Sequence, residues 1–113
     1  MQNLQNPHNT RRHGPWLLAA LLAAAGANSH ANLALATKNG CTACHAVASK
    51  VVGPSFQEVA AKYAGQPDAT AKLVQTIRQG GTGKWGDMPM PPQPTLSEAD
   101  AKRLAAWILG GAK

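Results

Sequence analysis

The sequence predicts an all-α protein of four short helices joined by loops. After position 31, apolar residues recur at helical spacing, and no segment alternates as a half-buried strand does. Glycine or proline flanks each helical segment, which is typical of helix boundaries. The chain has 113 residues and a net charge of +6. A chain of this length has room for one small domain.

The first 31 residues have the pattern of a secretory signal peptide. A polar segment with arginines at positions 11 and 12 precedes an apolar run from Trp16 to Ala27. Ser29 and Ala31 then supply small residues at the minus-three and minus-one positions. The twelve-residue run is shorter than the roughly 20 apolar residues of a membrane-spanning helix. We expect cleavage near Ala31, which would leave residues 32–113 as the mature domain.

The arginine pair leaves two export routes open. A twin-arginine signal would export a folded protein, whereas a Sec signal exports an unfolded one. Gly14 and Pro15 stand where the twin-arginine motif usually has an apolar pair. This favours the Sec route, and both routes lead to the periplasm.

The first two helices are predicted on either side of a short loop. The first spans Asn32 to Asn39 and ends at Gly40, since glycine readily adopts the left-handed conformation that ends a helix. The second spans Ser55 to Ala64, after a Gly-Pro pair at positions 53 and 54, and glycine follows it at position 65.

The last two helices have the clearest apolar faces. The third runs from Pro67 or Asp68 to Gln79, with apolar residues at positions 73, 74 and 77 on one face. The fourth starts at Ser97, where Ser97 and Asp100 resemble a capping box with Asp in place of Glu or Gln. Glycines at 80–81 and 110–111 end the two helices. The residues of the fourth helix expected to face inward are Ala101, Leu104, Ala105, Trp107 and Ile108.

The loop after the first helix contains the pentapeptide Cys41-Thr42-Ala43-Cys44-His45. This arrangement is the attachment signature of a c-type haem. Positions i and i+3 share one side of a helical turn, so both sulfurs can form thioethers with the vinyl groups of one porphyrin. His45 then binds the iron. The motif predicts one covalent haem c, attached through Cys41 and Cys44.

Other interpretations of the motif fit less well. A thioredoxin-like dithiol needs a βαβ surround, but the following segments are helical in pattern. A structural zinc site needs two more ligands, and residues 32–113 contain no further Cys or His. A disulfide across so short a loop would constrain the unfolded chain little and would leave the adjacent histidine unexplained.

The loop from Gly80 to Leu96 contains the candidate second iron ligand. A loop of this length in a small domain is usually functional. Met88 and Met90 are the methionines of the mature chain, and prolines at 89, 91 and 92 stiffen the backbone around them. A thioether opposite histidine gives an electron-transfer haem. Composition alone leaves both methionines as candidates.

Taken together, these segments resemble the short monohaem class I cytochromes c of bacteria. The resemblance rests on Cys-Thr-Ala-Cys-His at 41–45, Val-Gly-Pro at 52–54, Trp-Gly at 85–86 and Pro-Met-Pro-Pro at 89–92. It extends over essentially all of residues 32–113. It implies a class I cytochrome c fold, with four helices and loops wrapped around one covalently attached haem.

The resemblance also implies roles for individual residues. His45 would be the proximal ligand, and Met90 rather than Met88 the distal one. The carbonyl of Pro54 would accept the Nδ1 proton of His45, although this proline also suits a helix entry. The indole of Trp85 would donate to a haem propionate; the alternative is a surface aromatic packed on its own loop.

One position departs from this pattern. Relatives often carry Arg or Lys just before the isoleucine of the third helix, where it approaches a propionate. Here Thr76 precedes Ile77 and the basic residue is Arg78, so the basic partner of the propionate stays open. The resemblance further implies that Gly40 and Trp107 pack together where the first and last helices cross.

The function expected is that of a periplasmic electron carrier and not of an enzyme. Its iron would cycle between ferrous and ferric states and pass electrons between respiratory complexes and a terminal reductase or oxidase. A haem enzyme or gas sensor is the alternative, but it needs an open iron position and usually a distal His or Arg. No second histidine remains after cleavage.

Charge indicates the kind of partner. Residues 32–113 contain nine basic and five acidic residues, a net charge of +4. Positive charge favours docking to acidic faces of redox proteins of a respiratory or denitrification chain. We expect a monomer that contacts membrane complexes transiently and binds no nucleic acid. The candidate steering residues are Lys38, Lys50, Lys62, Lys72, Lys84 and Lys102.

Overall fold

The computed structural model describes residues 28–113 and contains four helices in this range. A 3₁₀ turn precedes the second helix, and extended pairing among the described residues is limited to two isolated bridges. The predicted all-α class with four short helices is confirmed. The helices are α1, residues 28–38; α2, Phe56–Tyr63; α3, Ala69–Gln79; and α4, Glu98–Leu109.

The first helix differs from its predicted start. The sequence places that start at Asn32, but the chain is already helical at residue 28. The structure is that of the uncleaved chain, so the backbone at residues 28–31 continues the helix across the predicted cleavage position. Most of the predicted signal peptide, residues 1–27, lies outside the described residues.

Helix α1 ends where the sequence predicts. The conformation of Gly40 explains why a glycine stands at this position. The backbone amide and the side-chain amide of Asn39 both donate to the carbonyl of Leu35, at 3.2 and 2.9 Å. Gly40 then adopts φ 77°. A Cβ built on it would meet no atom within 4 Å. The backbone conformation of this position therefore favours glycine, and the expected packing of Gly40 with Trp107 stays a prediction.

The start of α2 has a complete capping box that the sequence analysis missed. The hydroxyl of Ser55 accepts from the amide of Glu58 at 3.0 Å, and the amide of Ser55 donates to the Glu58 carboxylate at 2.7 Å. Serine followed three residues later by glutamate is the usual signal for this motif. The box fixes the chain where it enters α2.

At the start of α4 only half of the predicted capping box forms. The hydroxyl of Ser97 accepts from the amide of Asp100 at 3.0 Å. The carboxylate of Asp100 lies 3.9 Å from the guanidinium of Arg103. Its side chain is one methylene shorter than that of Glu, which explains why the reciprocal bond of the box is not made.

The core lies where α4 packs across α2 and α3. Every residue of α4 predicted to face inward is buried, and Leu104 is 1% exposed. The ring of Phe56 meets Trp107 edge to face, with centroids 5.3 Å apart. The indole of Trp107 donates to the carbonyl of Lys113 at 3.2 Å. These contacts hold α2 and α4 as a fixed wall for the site.

Among residues 28–113, none of the helices has both the length and the apolar content required to cross a bilayer.

Candidate functional site

A cavity of about 280 Å³ lies between the helices and the two long loops. Its volume is close to the lower end of the range for small-molecule sites, about 300–1,000 Å³. Its walls are mainly apolar side chains contributed by all four helices. The structure brings every predicted site residue to this one cavity: Cys41, Cys44, His45, Pro54, Trp85 and Met90.

The two cysteines lie at the cavity on the 3₁₀ turn Cys41–Ala43. The amides of Cys44 and His45 both donate to the carbonyl of Cys41, at 3.2 and 2.9 Å. Both thiols are unpaired and half-buried. Burial raises the pKa of the Cys41 thiol. The turn thus presents two protonatable sulfurs and an imidazole to a single space.

The imidazole of His45 is fixed from two sides. Its Nδ1 lies 2.7 Å from the carbonyl oxygen of Pro54, and its ring stacks on Phe56 with centroids 5.6 Å apart. A carbonyl only accepts, so Nδ1 carries the proton, and Nε2 keeps the lone pair that can bind a metal. A Cβ on Gly53 would lie 2.5 Å from the imidazole Cε1. The glycine therefore makes room for the ring.

Met90 is fixed by its main chain. Its amide donates to the carbonyl of Gly81 at 2.8 Å, and the amide of Gly81 donates back at 3.1 Å. Gly80 adopts φ 74°, and a Cβ there would lie 2.5 Å from the Met90 carbonyl oxygen. Met90 is half-buried and packs against the core. Met88 also lines the cavity, but it is 67% exposed.

Two lysines surround Trp85 at the edge of the cavity. The ammonium of Lys62 lies 4.3 Å from the centre of the Trp85 ring and donates to the carbonyl of Lys84 at 2.8 Å. The ammonium of Lys84 donates to the hydroxyl of Tyr63 at 2.7 Å. Trp85 itself is 40% exposed. These bonds tie the loop to α2.

The sequence analysis did not assign Tyr63 to the site and named the two lysines only as candidates for steering. The sequence feature that could have indicated a role for Lys84 at the site is its position directly before Trp85 in a glycine-rich loop. The contact with Tyr63 spans 21 residues, and no local spacing rule predicts it.

The donor set suits a covalently attached haem. Two unpaired thiols three residues apart, an imidazole with a fixed tautomer and a thioether line one apolar cavity. Sulfur and imidazole donors are those that hold haem iron in electron-transfer proteins. The fold and site together define a class I monohaem c-type cytochrome.

Comparison with known protein families agrees. Residues 33–112 match the family described as Cytochrome c, and the chain belongs to this family. Proteins of this family carry a covalently attached haem c and transfer electrons. The protein is therefore an electron carrier with one haem c, and not an enzyme. These conclusions confirm the fold class, the cofactor and the resemblance inferred from the sequence.

Individual relatives support the assignment over most of the chain. Cytochrome c-552 of Nitrosomonas europaea is 50% identical over 96 residues, which cover 85% of this chain and 91% of that protein. Cytochrome c-552 of Hydrogenobacter thermophilus is 49% identical over 94 residues, covering 83% and 94%. The crystal structure of wild-type Nitrosomonas europaea cytochrome c552 superposes with a TM-score of 0.67 at 52% identity, covering 69% of this chain and 96% of that one.

Proposed function

We propose that this protein is a periplasmic electron carrier in which His45 and Met90 would bind the haem iron. Cys41 and Cys44 would hold the porphyrin as thioethers. One observation carries the proposal: the imidazole and the thioether line the same apolar cavity as both cysteines. Each ligand is also fixed by a main-chain partner, His45 through Pro54 and Met90 through the bridge to Gly81.

The residues of the chain would act by holding and tuning the site. When bound, haem c supplies the one-electron chemistry of iron between its ferrous and ferric states. The carbonyl of Pro54 orients the imidazole of His45 and fixes its tautomer. Trp85 would offer its indole N–H to a propionate. The apolar walls would exclude water, and His45 and Met90 would both be occupied in holding the iron, which suits electron transfer and not substrate binding.

Export would precede this function. Residues 1–31 would act as the signal peptide and residues 32–113 as the mature haem domain. Cleavage after Ala31 would leave residues 32–38 of α1, which include the buried Ala36. The mass of the secreted protein tests the cleavage position directly.

The site suggests how a partner would dock. Lys62 and Lys84 lie beside Trp85, and Lys50 lines a small recess that Trp85 also lines. Val52 and Met88 are exposed at the cavity. Half of the six steering candidates thus gather at one apolar edge. We infer that acidic faces of redox proteins of a respiratory or denitrification chain dock here.

Electrostatic docking has a simple test. Rates of electron transfer to an acidic partner should fall as salt is added, because ions screen exposed charges. A rate independent of ionic strength would contradict the docking proposal.

We expect the protein to be monomeric, to meet membrane complexes only transiently and to bind no nucleic acid.

Ligation is tested by replacing the two candidate sulfurs separately. The ferric holoprotein should show the weak band near the red edge of the visible spectrum that marks a Met–iron bond. Met90→Ala should abolish this band and let the reduced protein bind CO. Met88→Ala is the matched control, two residues away on the same cavity, and should keep the band.

Two results would overturn the proposal. A mature protein whose mass lacks the added porphyrin would exclude the haem attachment. A red-edge band that survives Met90→Ala and disappears in Met88→Ala would show that Met88, and not Met90, is the ligand.

A further inference from the structure

The cavity contains a single full charge from the protein. Among the described residues that line it, Lys84 is the one charged side chain; the others are apolar, neutral polar or glycine, apart from the imidazole of His45. A haem carries two propionate carboxylates. Charges placed in an apolar site require a partner, because desolvation of an unpaired ion is costly. Lys84, which is solvent-exposed at the edge of the cavity, is therefore the lining cation that can meet them.

The third helix does not supply this charge. Thr76 lines the cavity but is neutral, and Arg78 is not among the lining residues. The Nε of Arg78 is buried and has no hydrogen-bond partner among the described residues. Neither of the two basic residues of α3, Lys72 and Arg78, lines the cavity, so a basic partner for a propionate has to come from another element.

Lys84 is held in place by contacts of its side-chain ammonium and of its main-chain carbonyl. Its ammonium donates to the hydroxyl of Tyr63 at 2.7 Å and lies 4.6 Å from the centre of that ring. Its carbonyl accepts from the ammonium of Lys62 at 2.8 Å. Tyr63 is only 2% exposed, so it is a fixed anchor. An ammonium has three N–H donors, and the bond to Tyr63 leaves two for a carboxylate.

We propose that Lys84 is the basic partner of a haem propionate, positioned by Tyr63 and Lys62 beside the indole of Trp85. This inference deepens the proposed function and rests on it, because it requires the propionate edge of the haem to lie at Trp85. Its consequence is electrostatic. A positive charge near the iron opposes the extra charge of the ferric state, so Lys84 raises the reduction potential.

The test compares holoprotein variants by their reduction potential at slightly alkaline pH, where propionates are ionised. Lys84→Gln should lower the potential, and Lys84→Arg should restore most of it. Lys102→Gln is the charge-matched control, because Lys102 pairs on the surface of α4 with Glu98 at 3.2 Å. It should leave the potential nearly unchanged. Lys84→Met removes the charge while keeping the apolar stem, in case the glutamine variant does not load haem.

The outcomes separate this proposal from the one on which it rests. A lower potential in both neutral variants, with the red-edge band retained, supports Lys84 as the propionate partner. Neutral variants that match Lys102→Gln would overturn it while leaving His45 and Met90 as ligands. Absence of the red-edge band in the unmodified protein would instead overturn the proposed ligation.

Discussion

The two sides of the cavity fix their candidate ligands in different ways. On the proximal side, His45 is held through its side chain, by the carbonyl of Pro54 and by stacking on Phe56. On the distal side, Met90 is held through its backbone, by two hydrogen bonds to Gly81. The position of the imidazole thus depends on packing against α2, whereas that of the thioether depends on the local shape of its loop.

This difference predicts how each side responds to change. A substitution that shifts α2 or crowds its neighbours should act on the imidazole. A substitution that alters the loop backbone should act on the thioether and leave the imidazole in place.

Both sides should be lost when the haem is not attached. The mature chain has few large aromatic residues, and the cavity walls are apolar surfaces that would face water without the porphyrin. A domain of this size is near the lower limit for one unaided core. We expect circular dichroism of the haem-free protein to show much less helix than the holoprotein.

A second measurement checks the same prediction through Cys41. Thiolate is the species that alkylating agents attack, and burial raises the pKa of this thiol in the folded chain. A folded haem-free protein would therefore hold less Cys41 thiolate at a given pH and react more slowly in buffer than in urea. We expect equal rates; a marked slowing in buffer would show that the fold persists without haem.

Gly80→Ala should disturb the distal side. The new side chain would have to adopt φ 74° and would meet the Met90 carbonyl oxygen. With ψ at −175°, this backbone conformation is one that essentially only glycine adopts, and it costs another residue about 1–3 kcal/mol. Overpacking adds about 1–3 kcal/mol. We expect lower stability in denaturant and a weaker red-edge band. Gly83→Ala is the control, since it shares a positive φ, 87°, but has open space around its Cβ.

Gly53→Ala should disturb the proximal side. Gly53 has no positive φ, so the cost comes from the contact between the new methyl group and the His45 ring. We expect a loss of about 1–3 kcal/mol in the free energy of unfolding, measured in denaturant. Gly81→Ala is the control, because its nearest neighbour would lie 3.9 Å away. Equal stability of the two variants would refute the close packing of this ring.

Removal of the cap of α2 should have the smallest effect. Ser55→Ala removes the buried hydroxyl that accepts from the amide of Glu58, while the backbone amide of residue 55 can still donate to the Glu58 carboxylate, and should cost about 1 kcal/mol. Ser97→Ala at α4 removes one bond at an exposed cap and should cost less. Thermal unfolding of the holoproteins measures both. A larger loss of stability in Ser97→Ala than in Ser55→Ala would mean that the cap of α2 does not help to hold the wall behind His45.

The helices and the haem-attachment turn can be predicted from short stretches of sequence. The helices follow from apolar spacing and terminal glycines, and the attachment turn follows from Cys41, Cys44 and His45 in one motif. The capping box at Ser55 and Glu58 was present as a local signal and could have been found. Patterns within a few residues therefore predicted the elements and most of the candidate site.

The remainder depends on contacts between distant segments. The bond from Lys84 to Tyr63 exists because the loop docks on α2, and the absence of Arg78 from the cavity lining depends on how α3 is rotated. Neither follows from spacing along the chain. The helical backbone at residues 28–31 likewise was not expected, because the predicted helix began at Asn32, after the predicted cleavage position.

The bridge between Gly81 and Met90 has a consequence for the rate of electron transfer. Two hydrogen bonds and three neighbouring prolines leave this short stretch few alternative shapes. In the proposed ligation, the sulfur of Met90 would therefore move little when the iron changes its charge by one unit. Small nuclear displacement means low reorganisation energy, the condition under which a redox protein exchanges electrons rapidly with little driving force.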